Sequence, residues 1–93
     1  MRIGVLKETK PMETRVALTP DIVKQLLKKG FEVSVEASAG LLSSFSDENY
    51  IAAGAVISNK SEISSCDVVL KVNSFTEEEV NGLKDGIVTI SFL

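Results

Sequence analysis

Short apolar runs recur along this chain at residues 2–6, 31–36, 67–72 and 87–93, and the segments between them carry helix-start and helix-stop residues. Strand-length runs that alternate with helices join most simply through right-handed crossovers. The pattern therefore predicts an α/β fold: a Rossmann-like open, mainly parallel sheet flanked by helices. Residues 2–6 are apolar after Arg2, as a strand buried on both faces requires. Residues 31–36 alternate with period two, and Ala55-Val56-Ile57 reads as a further, weaker strand.

The helices are marked by their ends. Thr19 is placed to cap, Pro20 sits at the first helical position where its missing N–H costs nothing, and Asp21 suits the positive end of the dipole. Ile22, Val23, Leu26 and Leu27 then form one stripe, Lys28 and Lys29 suit the last turn, and Gly30 stops the helix so that Phe31 folds back on it. Ser46 caps a second helix from Asp47 to about Ala53, with Gly54 as its stop. Residues 59–65 form a connector with room for one helical turn. Thr76-Glu77-Glu78-Glu79 is a capping box that opens a helix expected to pack Val80 and Leu83. Residues 7–15 and 37–45 read as loops, and Lys84-Asp85-Gly86 as a turn.

With 93 residues the chain makes one domain, and a domain of this size buries only about 60–65% of the surface its unfolded form exposes. Tryptophan is absent and aromatics are 5%, so the core is built from Val, Ile, Leu and Ala. Ten basic residues against 13 acidic ones give a net charge of −3 with no basic stripe, which argues against nucleic acid as a partner. There is no histidine, so triads, general bases and metal sites built on histidine are excluded from these residues. Cys66 stands alone at the edge of an apolar run and reads as a small buried hydrophobe. No apolar run approaches the ~20 residues that span a bilayer, and residues 1–10 show no signal peptide, so an intracellular domain is expected.

Ligands of open parallel sheets bind beyond the carboxyl ends of the strands. That rule selects Lys7 and Glu8 after the first strand, Asn73 and Ser74 after the 67–72 run, and the small-residue loop at 37–40. The long loop from Lys7 to Thr19 can carry Arg15 back over this edge. There its guanidinium would either bind a carboxylate or phosphate through a planar fork, or pair with Glu8 or Glu13 to brace the loop. Asn73 would hydrogen-bond a ligand or cap the next turn. Lys71 interrupts an apolar strand, so its ammonium needs a partner or must reach the surface; a buried stem with an exposed head is the structural expectation, against a catalytic lysine. Asp47-Glu48 and Glu77-Glu78-Glu79 sit in first turns, where the helix dipole accounts for them. The glycines at 4, 30, 40, 54, 82 and 86 form no G-x-G-x-x-G and no Walker pattern, so no cofactor is expected to bind this segment alone.

Several ordered blocks carry a resemblance. They are Gly4-Val5-Leu6-Lys7-Glu8, Glu13-Thr14-Arg15-Val16-Ala17-Leu18-Thr19-Pro20, Leu26-Leu27-Lys28-Lys29-Gly30, Glu36-Ala37-Ser38-Ala39-Gly40, Phe45-Ser46-Asp47, Ala52-Ala53-Gly54-Ala55 and Val69-Leu70-Lys71-Val72-Asn73. Together the chain resembles the N-terminal domain of the alanine dehydrogenase and pyridine nucleotide transhydrogenase family. The departures are Leu6, where proline is usual, and Met12, where asparagine is usual.

The resemblance implies that residues 1–93 are the N-terminal segment of a two-domain NAD-linked oxidoreductase, whose glycine-rich NAD site lies beyond residue 93. In alanine dehydrogenases the position of Arg15 grips the pyruvate carboxylate, that of Asn73 is a substrate-contacting lysine, and a catalytic histidine closely follows the strand that ends here. Arg15 is kept but Asn73 carries no charge. Leu70-Lys71-Val72-Asn73 and Val88-Thr89-Ile90-Ser91-Phe92 resemble the transhydrogenase alpha subunit instead. That branch uses NAD and NADP, transfers hydride between them and couples this to proton movement across a cytoplasmic or mitochondrial inner membrane. The implied partners are the rest of the NAD(H)-binding component, the NADP(H)-binding and membrane components, and a second copy in a homodimer. Catalytic and cofactor-contacting residues are then expected outside this segment, and Arg15, Lys7, Glu8 and Asn73 remain as candidates for the ligand cleft. A fragment of an amino-acid dehydrogenase is the alternative within the family. A non-enzymatic association domain is the alternative outside it. A strand as apolar as 87–93 expects a covering helix, so the chain reads as a fragment truncated after its last strand.

Overall fold

The computed structural model describes residues 1–10 and 12–91. Its elements follow the chain as β1 (Arg2–Val5), α1 (Pro20–Lys28), β2 (Glu32–Glu36), a 3₁₀ turn (Leu41–Ser43), α2 (Asp47–Ala53), β3 (Val56–Ser58), α3 (Lys60–Ile63), β4 (Val68–Lys71), α4 (Glu77–Asn81) and β5 (Val88–Ser91). The five strands form one sheet in the order β3-β2-β1-β4-β5, and every pair is parallel. The order reverses between β1 and β4, and a cleft opens at such a switch point.

The helix ends obey local chemistry. Thr19 Oγ1 accepts from the Ile22 N–H at 3.4 Å, Ser46 and Asn49 form a reciprocal capping box, and Asn59 caps α3 by accepting from the Glu62 N–H. Gly54 ends α2 at φ +104, a left-handed conformation that favours glycine, and a Cβ there would also press on Leu27 Cδ1 at 2.4 Å. The 3₁₀ turn falls inside the small-residue loop, and no apolar periodicity in residues 37–45 announces it.

Alternate residues of β1 feed two cores. Ile3 and Val5 face α1 and α2, packing with Val23, Val33, Val35, Tyr50 and Leu70. Leu6 faces the other way, with Ile63, Cys66 and Val69, and Phe75, Leu83 and Ile87 close over them. Each fully buried Val, Leu or Ile contributes about 1.5–3 kcal/mol. Gly4 lies on this second face, where a Cβ would sit 2.9 Å from Ile63 Cγ2 and 3.0 Å from Cys66 Sγ. Cys66 is 1% exposed and burial pushes its thiol up, the condition of an inert core residue.

Two expectations change. Val80 is 53% exposed rather than packed: α4 has only five residues, and its inward position goes to Glu79, which meets Lys71. Lys71 does not snorkel. It is 2% exposed, head included, because Glu79 supplies a buried counter-charge. The β4–β5 register sets Val88 beside Val68 and Ile90 beside Leu70, on the α1 face. No helix among the described residues covers that stretch, and Val88 and Ile90 are 54% and 43% exposed. The expected end of this strand at Phe92 and Leu93 lies outside the described residues, as does Pro11 of the long loop.

Candidate functional site

The cleft edge is organised by carboxylates. Glu8, just past β1, turns toward the end of β4. Its Oε2 accepts the Val72 N–H at 2.8 Å, and its Oε1 accepts the Asn73 N–H at 3.1 Å and the Asn73 Nδ2 at 3.2 Å. One side chain thus takes the backbone donors left over where β4 runs out past β1. Asn73 is 8% exposed, and its Nδ2 also donates to Glu13 Oε1 at 2.8 Å. Its Nδ2 is not an open donor; its amide joins two carboxylates of the long loop.

Glu13 in turn holds Arg15. Its Oε2 accepts both the backbone N–H and the Nε of Arg15 at 2.9 Å, and its Oε1 accepts Nη2 at 2.9 Å. The carboxylate is inside and the guanidinium outside, with side-chain exposures of 8% and 59%. The bonds from the Arg15 side chain and N–H, with that from Asn73, hold the Glu13 carboxyl well below the usual carboxylate range, and Glu13 raises the Arg15 guanidinium. Of the two pairings expected for Arg15, the structure forms the one with Glu13. The loop reaches this geometry through a turn in which the Glu13 N–H donates to Lys10 O, with Met12 at φ +67.

Three of the four expected cleft residues are therefore joined in one chain, Glu8–Asn73–Glu13–Arg15. The fourth, Lys7, gives its backbone N–H to Glu36 Oε1 at 2.8 Å while its side chain is exposed. Beside this chain a groove of about 420 Å³ is lined by Thr9, Lys10, Lys71, Asn73, Ser74 and Thr76. Under it lies the pair that the sequence reading missed. Lys71 Nζ sits 2.7 Å from Glu79 Oε1, the same oxygen that accepts the Thr76 N–H at 2.8 Å, and Lys60 approaches the other oxygen at 4.0 Å. The signal was present: a lysine inside an apolar strand needs a counter-charge, and a capping-box glutamate turns its carboxylate back toward the strand end. Glu13 was visible only as a bracing partner, because its inward aim depends on the left-handed Met12. Another hollow of about 360 Å³, lined in part by Arg2, Glu32 and Val56, opens where β1, β2 and β3 begin, away from this chain of residues. Among the described residues no His, Cys, Asp and Glu gather to hold a metal ion, and no helix is long and apolar enough to cross a membrane.

Known proteins share this chain's sequence and fold. The NAD(P) transhydrogenase subunit alpha of Haemophilus influenzae is 45% identical over 93 residues, all of this chain and 18% of that protein. The alanine dehydrogenase of Staphylococcus saprophyticus is 42% identical over all of this chain and 25% of its own length. The crystal structure of transhydrogenase from Sinorhizobium meliloti matches with a TM-score of 0.96 at 38% identity, over 100% of this chain and 28% of that one. An L-alanine dehydrogenase structure matches with a TM-score of 0.91 at 34% identity, over 98% and 26%. The chain thus spans between 18% and 28% of the length of these relatives. The family model of the alanine dehydrogenase/PNT N-terminal domain matches residues 4–93, and the chain belongs to that family.

Proposed function

We propose that this chain is the N-terminal part of the NAD(H)-binding component of a proton-translocating NAD(P) transhydrogenase, which passes hydride between NADH and NADP⁺. Its own residues shape the cleft, and the segment alone is inactive. The observation that carries this reading is the uncharged Asn73 amide bridging Glu8 and Glu13. An amino-acid dehydrogenase needs cations to grip and polarise a 2-oxo acid. At this cleft the Arg15 guanidinium is paired with Glu13, and position 73 adds no charge.

The parent enzyme would use NAD and NADP. The described residues do not fit a dinucleotide: β1 leads into a long loop rather than directly into a helix, and no glycine lies between Gly4 and Gly30 to let a backbone approach a pyrophosphate. That cradle belongs to another part of the parent. Its partners would be the rest of the NAD(H)-binding component, the NADP(H)-binding and membrane components, and a second copy.

The alanine-dehydrogenase reading is favoured by the exposure of Arg15 and by the 42% identity to an enzyme of that name. One experiment separates the two. In membranes containing the parent protein, NADH-driven reduction of NADP⁺ is expected, with no L-alanine-dependent reduction of NAD⁺. Alanine-dependent NAD⁺ reduction without transhydrogenation would overturn the proposal.

A further inference from the structure

We propose that Asn81 is a self-modification site: it deamidates through the Gly82 nitrogen when α4 opens, and the isoaspartate formed there separates Glu79 from Lys71. The inference does not depend on which enzyme the parent is.

Asn81 is the last residue of α4 and Gly82 its C-cap, and both are exposed. Of the chain's four asparagines, Asn49 is tied into a capping box, Asn59 caps α3, and Asn73 is held between Glu8 and Glu13. Asn81 has no such side-chain bond among the described residues, and it alone is followed by glycine. The glycine matters because no side chain shields the nitrogen that reacts. That nitrogen attacks Asn81 Cγ, a new C–N bond closes a succinimide ring, and Nδ2 leaves as ammonia with the proton given up by Gly82. Water then opens the ring. Opening at one carbonyl gives aspartate, and at the other isoaspartate, which carries an extra carbon in the main chain. The backbone does not itself call for glycine at 82. Its φ of −84 and ψ of −8 suit any residue, and a Cβ would meet Glu78 O and Glu79 O at an ordinary 3.7 Å.

The helix restrains the reaction. The Gly82 N–H donates to Glu78 O and Glu79 O at 3.2 Å, so its nitrogen is released only when the last turn opens. Such opening is cheap for α4. Five residues are too few to hold a helix alone, and Glu77, Glu78, Val80 and Asn81 are all exposed. Its anchors are buried Glu79, through Lys71, and the capping box with Thr76. The product fits worse than Asn81 did. A new carboxylate stands at the negative end of the helix, on the same face as Glu77 and Glu78, and the extra carbon interrupts the hydrogen-bond ladder. Glu79 then loses its frame, and Lys71 is left without its counter-charge under the cleft groove.

The test is incubation of the 93-residue chain at mildly alkaline pH, with its peptides mapped by mass spectrometry. Asp85-Gly86 closes the same ring without releasing ammonia, so its mass does not change and it does not interfere. Ammonia loss is expected at Asn81 before any other asparagine, at least about tenfold more slowly in the native chain than in strong urea. Thr76→Ala removes the N-cap but leaves Asn81 and Gly82 in place. It should speed the reaction about fivefold, the equivalent of the ~1 kcal/mol such a cap contributes. Gly82→Ala should stop it in a folded chain. The deamidated chain, separated by its added charge, should have Lys71 open to acylation where the native chain protects it. Thermal melts establish folding, and if Thr76→Ala is unfolded the comparison with urea decides. Earlier loss at another asparagine, equal rates in native and urea-unfolded chains, no acceleration in folded Thr76→Ala, continued loss at Asn81 in folded Gly82→Ala, or a Lys71 still protected after deamidation would each overturn the proposal. No arm reads hydride transfer by the parent, so this inference and the proposed function fail separately.

Discussion

Lys71 Nζ lies 2.7 Å from Glu79 Oε1 in a pair whose side chains are each 2% exposed, and it joins the end of β4 to α4 directly under the cleft groove. Burying both charges costs desolvation, so the pair adds little net stability over an apolar match, but losing one partner strands the other. Lys71→Met should therefore destabilise the chain by about 3–5 kcal/mol, while Lys71→Met with Glu79→Leu should recover most of that loss. Urea unfolding of the two single variants and the double variant measures the coupling. Additive losses would show that the pair does not act as a unit.

The acid limb of stability should come largely from Glu13 and Glu79. Hydrogen bonds from Arg15 and Asn73 hold Glu13 low. For Glu79, burial alone would push it up, but the bonds from Lys71 and the Thr76 N–H and the charges of Lys71 and Lys60 outweigh it. Asp67, which accepts the Arg2 N–H, is lowered as well. In acid the unfolded chain binds more protons than the folded one. The stabilisation is thus full above the ordinary carboxylate value of 4.5 and is lost as pH falls through the folded values. Stability from urea midpoints should be flat near neutrality and fall below about pH 4.5, with a shallower fall in Glu13→Gln. An unchanged acid limb in that variant would count against the loop as its source.

Met12 offers the converse, a stabilising change. It is 97% exposed, so its side chain packs on nothing, yet it holds φ +67. A left-handed conformation costs a β-carbon-bearing residue about 1–2 kcal/mol, and asparagine or glycine tolerates it better. Met12→Asn or Met12→Gly should raise stability by about 0.5–1 kcal/mol and Tm by a few degrees. A lower Tm in both variants would mean that the left-handed turn is not the resting conformation of the loop.

The sheet was legible because helix caps and strand runs are local signals: Thr19-Pro20, Ser46, Gly30 and Gly54 act where they stand in the chain. The cleft edge was legible as an address, since strand ends select Lys7, Glu8 and Asn73 whatever their side chains do. The bonding there was not. Glu8 reaches Asn73 across 65 residues, and Lys71 finds its counter-charge only when α4 folds back over β4. Such pairs depend on crossovers and loop turns, and a pattern of residue types cannot say which of several carboxylates a buried donor will meet. Val80 shows the same limit on the apolar side: helical spacing marks it as inward, but a buried ion pair takes that position.

Tyr50 supplies the last prediction, and it can be read without ambiguity because it is the chain's one tyrosine and there is no tryptophan. The side chain is fully buried, and its Oη donates to Leu18 O at 2.8 Å, tying α2 to the end of the long loop. Burial, with the negative charge of Asp47, pushes the phenol up to about 12. The folded state keeps a proton that the unfolded chain releases near its ordinary value of 10.0, so the associated stability is full below that value and lost as pH rises toward 12. Tyrosinate absorbance should therefore titrate well above 10.0, in step with loss of the helical signal in circular dichroism. Tyr50→Phe should remove the absorbance change and cost about 1–2 kcal/mol through the lost bond to Leu18. Gly40→Ala attacks the same contact from outside, since its Cβ would lie 2.6 Å from Tyr50 Cε2. It should destabilise by about 1–3 kcal/mol and bring the tyrosine midpoint down, as the ring is forced from its pocket. A native-chain midpoint near 10.0 with the fold intact would show that Tyr50 is not held in the core, and with it would go the account of how the long loop is anchored to α2.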